Sequence, residues 1–197
     1  MLFMNRQAEA RIPTRLGSFT LIAYADTADE PMPHLALVAD GFDPGKPVPV
    51  RIHSECMTGD VFGSRRCDCG EQLEASLRLA AQRGGVVVYL RQEGRGIGLI
   101  NKLKAYNLQD VGLNTAEANT HLGFDVDARQ YACAIAILQD LKIKNVEIIT
   151  NNPDKVEALR HSPIQVASVI PLVVQPHEDN RDYLVTKQEL MGHLLGL

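Results

Sequence analysis

Three cysteines within one short segment are the residues of this sequence best suited to chemistry. Cys56, Cys67 and Cys69 follow the pattern C-x10-C-x-C inside HSECMTGDVFGSRRCDCGEQL. Three thiolates from one segment can converge on a single soft or borderline metal ion, for which zinc is the default candidate. Catalytic zinc sites use three protein ligands and keep one position for water, whereas structural sites are closed by four. The spacing therefore predicts a metal centre of the catalytic type.

Other interpretations of the cysteines and their neighbours stay open. His53, three residues before Cys56, could be a fourth ligand and close a structural site of three cysteines and one histidine. The remaining cysteine, Cys133, lies in the apolar run YACAIAIL, which favours a small buried hydrophobic residue. A redox role is disfavoured because C-x-C lacks the C-x-x-C spacing of thioredoxin-like motifs.

A glycine-rich loop and a strand-to-helix junction are candidate anion sites. RQEGRGIG, residues 91–98, follows the apolar run VVVYL and precedes a helical pattern, where α/β proteins normally bind ligands. Its glycines lack the spacing of a dinucleotide fingerprint, but Arg95 can make bidentate contacts with a phosphate. In TNNPDK, residues 150–155, Lys155 lies in the first helical turn, where the helix dipole opposes a cation. Plain turns with solvated cations are the alternatives.

The alternation of strand and helix patterns predicts an α/β fold. Strand-like runs occupy the N-terminal third at 19–24, 34–39 and 48–53, and apolar runs at 86–90 and 146–150 predict buried strands. Helical patterns cover 71–83, 97–108 and 131–141, and Pro153 can begin a further helix. We therefore predict one domain over residues 1–197: a mixed β-sheet flanked by helices, with a strand-rich N-terminal third.

Composition disfavours several classes of partner. The 197 residues are 45% hydrophobic and 22% charged, which is typical of a globular protein. A net charge of −4 disfavours a nucleic-acid-binding surface, and no apolar run reaches the ~18 residues of a membrane span. The first residues lack a secretory pattern, and four cysteines fit a reducing compartment, so we expect a cytoplasmic protein. Neither a nucleic acid nor a membrane is an expected partner.

Seven motifs in colinear order resemble the GTP cyclohydrolase II family of riboflavin biosynthesis. They are RIHSECMTGD, RRCDCGEQLE, RQEGRGIGL, the DxGxxTxEAN pattern at 110–119, LGFDVDAR, TNNPDK and the closing MGHLL. The resemblance runs from about Arg6 to Leu195. It implies a single GTP cyclohydrolase II-like domain of the monofunctional form, without the dihydroxybutanone-phosphate synthase domain of the bifunctional relatives.

The resemblance implies a defined reaction and its cofactors. Such hydrolases open the imidazole ring of GTP, release formate and pyrophosphate, and form 2,5-diamino-6-ribosylamino-4(3H)-pyrimidinone 5′-phosphate. The resemblance also implies a homodimer, with one zinc ion per subunit bound by Cys56, Cys67 and Cys69, and magnesium as a second cofactor.

The resemblance further assigns roles to residues of this sequence. Asp127 is similar to the family's proton acceptor, Arg129 to its proposed nucleophile, and Tyr106 to a tyrosine of the ring-opening steps. The residues similar to the family's GTP contacts are Arg51, Ile52, His53, Ser54, Glu55, Gln72, Glu93, Gly94, Arg95, Thr115, Thr150 and Lys155. A guanidinium, with a pKa above ~12, is a poor nucleophile while protonated, so charge stabilisation by Arg129 is the alternative.

Three positions depart from the family pattern. Ala128 stands where many members carry an acidic residue, and Asp154 and Leu190 stand where lysines are common. Asp154 removes one positive charge near the expected phosphate contacts. The alternative function is therefore a GTP-binding paralogue with a structural zinc, which releases pyrophosphate or binds nucleotide without opening the ring.

Overall fold

The computed structural model describes residues 4–196, which form seven strands and seven α-helices. In chain order, strands β1 to β7 are Asn5–Thr14, Gly17–Ala25, His34–Ala39, Val48–Ser54, Val86–Leu90, Asn145–Ile149 and Gln165–Ile170. Helices α1 to α7 are Met57–Asp60, Cys69–Arg83, Gly98–Asp110, Thr115–His121, Ala132–Asp140, Pro153–Arg160 and Arg181–Met191. A short 3₁₀ segment covers Glu93–Gly96, just before α3.

The seven strands form one mixed sheet in the order β1-β2-β3-β5-β4-β6-β7. Strands β1, β2, β3 and β5 pair antiparallel, whereas β4, β6 and β7 pair in parallel. Parallel neighbours need a crossover, and α6 supplies it between β6 and β7. The predicted α/β fold, with its mixed sheet and strand-rich N-terminal third, is confirmed.

The described chain groups into two compact units. The first contains the residues up to His53, Leu73–Arg91 and Tyr131–Leu172, and it includes the sheet strands together with α5 and α6. The second contains Ser54–Gln72, Gln92–Gln130 and the residues from Val173 onward, with α1, α3, α4 and α7. The single domain predicted from the sequence stays a prediction. Within residues 4–196, no helix combines the length and the apolar character that a bilayer crossing requires.

Strand β5, in the middle of the sheet, is covered on both faces. On one face, Val88 and Leu90 of β5 belong to a core cluster with Ile137 of α5. On the other face, Val87 belongs to a second cluster with Phe19, against which leucines of α2 pack. Successive strand residues point to opposite faces, so a strand covered on both sides is a continuous apolar run. The buried strand predicted at VVVYL is confirmed.

Local signals explain where two helices of the first unit begin or end. Helix α2 ends before Gly84, which has φ +65°; a Cβ there would also lie 2.5 Å from the Gly41 carbonyl oxygen. Helix α6 begins at Pro153, and the side-chain oxygen of Asn152 accepts a hydrogen bond from the Asp154 N–H at 2.9 Å. The predicted bounds of α2, α3 and α5 differ from the observed ones by at most two residues.

Candidate functional site

The second unit brings the three cysteines together. The Sγ atoms of Cys56, Cys67 and Cys69 all lie within 4.8 Å of one another, and those of Cys56 and Cys67 are 3.6 Å apart. Cys56 directly precedes α1, and Cys69 is the first residue of α2, where the helix dipole favours an anionic sulfur. No other set of three or more His, Cys, Asp or Glu side chains converges in this way within residues 4–196.

Two glycines make room for this sulfur cluster. A Cβ on Gly59, which is buried in α1, would lie 3.0 Å from the Cys67 sulfur and 3.3 Å from the Cys56 sulfur. A Cβ on Gly70 would collide with the Gly59 carbonyl oxygen. Without these methyl groups the backbone of α1 and α2 can pack closely around the sulfurs, and three thiol donors that converge in this way fit a zinc ion.

The other two candidates for this cluster have different surroundings. His53 stacks its ring on Tyr89 in the first unit, with the ring centroids 5.5 Å apart. The converging set found among the described residues contains three thiols and no histidine, so the closed site with His53 is not supported. Cys133 packs against the core of the first unit from α5, as a small hydrophobic residue would.

Hydrogen bonds concentrate negative charge on Cys56. Those from Cys67 and Cys69 hold the pKa of Cys56 well below its usual range, and the Lys102 ammonium adds to this effect. The hydrogen bond to Cys56 raises the pKa of Cys67 to about 11, and the pKa of Cys69 is also raised. A metal ion must displace the remaining thiol protons, so metal binding here depends on pH.

Tyr106, predicted from the resemblance, lies beside the sulfur cluster. Its hydroxyl is 3.4 Å from the Thr58 hydroxyl, which in turn lies 3.7 Å from the Cys56 sulfur. The Arg66 guanidinium lies 4.9 Å from the centre of the Tyr106 ring, and the Lys102 ammonium 5.7 Å from it. Burial raises the pKa of Tyr106, so its hydroxyl keeps its proton at neutral pH.

Arg95 presents a buried cation in a strained turn. Its backbone angles, φ 61° and ψ 32°, place it in the left-handed region, which non-glycine residues rarely adopt. In the described part of the chain, its Nη1 and Nη2 atoms are buried and have no hydrogen-bond partner. The guanidinium lies 5.7 Å from the centre of the Tyr183 ring. Because unpaired buried donors are costly, these nitrogens suit a phosphate or carboxylate ligand.

Asp127 and Arg129 form a partly buried ion pair. Arg129 Nε lies 2.8 Å from Asp127 Oδ1, which also accepts a hydrogen bond from the Arg129 backbone N–H at 3.1 Å. Burial alone raises the pKa of Asp127, but the Arg129 guanidinium outweighs it and holds that pKa below its usual range. The Ala128 N–H donates to the Arg95 carbonyl at 3.2 Å, which ties this segment to the Arg95 turn.

The second unit also contains the other predicted GTP contacts from residue 54 onward. Gln72 is buried and donates to Asp68 Oδ2 at 2.6 Å. Thr115 is the first residue of α4 and lines a cavity of about 350 Å³ together with Arg66 and Tyr183. The side chains of Ser54 and Glu55, which directly precede Cys56, are half-buried and buried.

Glu93, a predicted GTP contact, uses its carboxylate within the second unit. Its Oε2 atom accepts a hydrogen bond from the Met57 N–H at 2.6 Å. Its Oε1 atom accepts from the Gly94 N–H and from Lys102 Nζ, both at 2.8 Å. Contact of Glu93 and Gly94 with GTP stays a prediction.

The first unit contains the predicted GTP contacts that lie within β4 or follow β6. Lys155 Nζ donates to the Ile52 carbonyl at 2.8 Å, and Arg51 Nη1 donates to the Ile149 carbonyl at 3.1 Å. Thr150, also buried, directly follows β6. Ligands of α/β proteins bind at the carboxyl ends of parallel strands, which is where these side chains lie.

Two buried lysines of the second unit were not predicted. Lys102 contacts the Cys56 sulfur from α3 at 3.0 Å. Lys187 of α7 donates at 2.7 Å to Asp68, whose side chain is only 1% exposed and which stands between Cys67 and Cys69. Asp68 and Lys187 are 119 positions apart, so no local pattern links them. The one local signal for this pair is that an acidic residue, Asp68, stands inside the C-x-C motif, where a buried carboxylate needs a cation.

The fold and the site together define an α/β protein with three converging cysteines that could hold a metal ion and a buried arginine whose Nη atoms have no hydrogen-bond partner among the described residues. A model of the GTP cyclohydrolase II family matches residues 5–171. The chain is 48% identical to GTP cyclohydrolase-2 of Neisseria meningitidis over 194 residues, which cover 98% of both chains. The chain belongs to the GTP cyclohydrolase II family, and the resemblance found in the sequence is confirmed.

Longer relatives match as well. The chain is 48% identical over 195 residues to the riboflavin biosynthesis protein RibBA of Bacillus cereus. It is 49% identical over 194 residues to RibBA of Chlorobium phaeovibrioides. These matches cover 98% of this chain but 49% and 47% of the RibBA proteins, so it spans about half their length.

Proposed function

We propose that this chain hydrolyses GTP as a GTP cyclohydrolase II. The reaction opens the imidazole ring, releases formate and pyrophosphate, and gives 2,5-diamino-6-ribosylamino-4(3H)-pyrimidinone 5′-phosphate. The observation that carries the proposal is the cluster of three sulfurs, all within 4.8 Å of one another, with Tyr106 beside it. The names of the relatives, GTP cyclohydrolase-2 and riboflavin biosynthesis protein RibBA, support the same assignment.

In this proposal, Cys56, Cys67 and Cys69 hold one zinc ion per subunit. Zinc bound there supplies Lewis-acid activation of water for attack on carbon 8 of the purine. Three thiolates donate more charge than three imidazoles, so the neighbouring side chains must assist. Magnesium would be the second cofactor, held largely through the phosphates of the substrate.

Tyr106, Arg95 and the ion pair of Asp127 and Arg129 assist the zinc ion in this reaction. The Tyr106 hydroxyl, whose pKa is raised by burial, has a proton to donate at the opening ring. The unpaired Nη atoms of Arg95 bind phosphate oxygens and offset the charge of the leaving pyrophosphate. Arg129, oriented by Asp127, adds a second fixed cation. The ion pair favours charge stabilisation by Arg129 over nucleophilic attack, because its guanidinium is protonated and engaged.

The remaining features of the proposal concern binding and assembly. We propose that Arg51, Thr150 and Lys155 contact GTP, together with the other contacts that the resemblance implies. We also propose a cytoplasmic homodimer. Static light scattering of the purified protein tests the dimer, and a monomeric mass at micromolar concentration would contradict it.

The reaction is tested with purified protein, GTP and Mg²⁺. We expect formate and a pyrimidine absorbance to appear together. The Cys67→Ser variant should lose both formate release and bound zinc while its circular dichroism is retained. Cys133→Ser is the matched control, because this thiol packs on the core of the first unit and should leave activity unchanged. Pyrophosphate without formate would favour the paralogue that leaves the ring closed.

The role of Arg129 is tested separately by rapid quench with labelled GTP. Charge stabilisation predicts that no covalent guanylyl adduct forms, and that Arg129→Lys retains part of the activity because the cation is kept. An adduct that accumulates in the natural protein and is lost in Arg129→Lys would establish the nucleophile instead.

A further inference from the structure

Lys102 approaches a metal-binding sulfur from inside the second unit. Its Nζ atom lies 3.0 Å from the Cys56 sulfur and 2.8 Å from Glu93 Oε1, and its side chain is only 10% exposed. The same ammonium lies 5.7 Å from the centre of the Tyr106 ring. The family resemblance assigns no role to this lysine, although it contacts both the metal cluster and the residue proposed to move a proton.

Glu93 fixes the position of this ammonium. Its Oε1 atom accepts the Lys102 hydrogen bond, and its Oε2 atom accepts the N–H of Met57, the residue after Cys56. Glu93 therefore holds both the lysine and the backbone next to the sulfur. The Cys56 N–H itself donates to Asp60 at 3.0 Å, so the first metal ligand is restrained on its main chain and on its side chain.

The charge of Lys102 matters for the metal as well as for packing. A divalent zinc ion with three thiolates carries one net negative charge, which weakens it as a Lewis acid. An ammonium that hydrogen-bonds one sulfur withdraws electron density from that sulfur and neutralises the net charge. The Glu93 carboxylate, 2.8 Å from Lys102 Nζ, gives this ammonium a counter-charge in addition to the sulfur.

We propose that Lys102 is a positioning residue for the metal: it orients Cys56 and makes the three-sulfur centre a stronger Lewis acid. The inference rests on the proposed function, because it concerns the zinc of that reaction. The competing explanation is a purely structural ion pair with Glu93 that fastens α3 to the neighbouring loop. The two differ in what they predict for the electronic state of the sulfur.

The test replaces zinc with cobalt(II) in the natural protein and in Lys102→Met. Sulfur-to-cobalt charge-transfer absorption should move to longer wavelength in the variant, because a sulfur without its N–H donor gives up electrons more easily. Competition with a chromogenic chelator should show a zinc affinity lower by roughly 10–100-fold. Lys104→Met, which removes an exposed lysine of the same helix, should match the natural protein in both measurements.

Two further variants keep the test decisive. Lys102→Met/Glu93→Gln removes both members of the pair, so a folded protein is expected without an uncompensated buried carboxylate. It should show the same shift in absorption, and failure of this folded variant to bind cobalt would be the same result at larger magnitude. Lys102→Arg keeps a cation with N–H donors and should restore most of the natural spectrum.

An unchanged absorption band and unchanged zinc affinity in the folded double variant would overturn the proposal and leave a structural ion pair. These measurements contain no GTP. Absence of formate release by the natural protein would therefore count against the proposed function, whereas the cobalt spectrum would still report on the contact between lysine and sulfur.

Discussion

Substituting Gly59 with alanine tests whether close packing around the sulfur cluster limits its affinity for zinc. The new methyl group would lie 3.0 Å from the Cys67 sulfur and 3.3 Å from the Cys56 sulfur, closer than ordinary van der Waals contact. Overpacking of this kind costs roughly 1–3 kcal/mol. Zinc–sulfur distances tolerate only about 0.2 Å, so we assign this cost to the metal-bound state. At about 1.4 kcal/mol per tenfold change, zinc affinity should fall roughly 5- to 140-fold.

The assay is chelator competition, combined with urea unfolding of the metal-free protein. Alanine is the better helix former by up to about 1 kcal/mol, so metal-free stability should change less than zinc affinity does. Gly45→Ala is the control, because that glycine also avoids positive φ and its Cβ would meet only the Asp43 carboxylate, at 3.1 Å. Zinc affinity equal to that of the natural protein in Gly59→Ala would refute the packing argument.

Two further predictions concern buried charge. Lys187→Met removes the cation from Asp68, which is 1% exposed, and should lower the free energy of unfolding by about 3–5 kcal/mol in urea. Lys144→Met, at an exposed position, should change it by less than about 0.5 kcal/mol, and equal effects would contradict the reasoning. Burial and Arg91 lower the pKa of His34, whose Nδ1 accepts the Arg91 N–H at 2.9 Å. Its contribution to stability is therefore complete above the unfolded pKa of about 6.5 and is lost as pH falls through the folded pKa. His34→Gln should flatten the loss of unfolding free energy between about pH 7 and about pH 5; an unchanged slope would count against this.

Features with a short sequence signature were predictable. The continuous run VVVYL identifies β5 because a strand covered on both faces needs no polar alternation. The spacing of Cys56, Cys67 and Cys69 identifies the sulfur cluster because all three thiols come from one segment. Pro153 identifies the start of α6 because its missing N–H is not needed in the first turn.

The elements that were not predicted have weak local patterns. Strand β1 is exposed along most of its length, so it has no alternation of buried and exposed residues to detect, and β7 is similar. Helix α1 has only four residues, too few for a helical period. The contacts of Lys102 with Cys56 and of Lys187 with Asp68 join residues 46 and 119 positions apart, and only the folded chain brings them together.

The salt bridge between Asp68 and Lys187 has a consequence for the order in which this site forms during synthesis. All three sulfurs have been made by residue 69, but the ammonium that balances the carboxylate among them is added 119 residues after that carboxylate. A nascent chain can therefore offer its thiols to a metal ion while the surrounding charge is still unbalanced. The Asp68 carboxylate therefore gains its Lys187 counter-ion only when α7 has been made and packs against this segment.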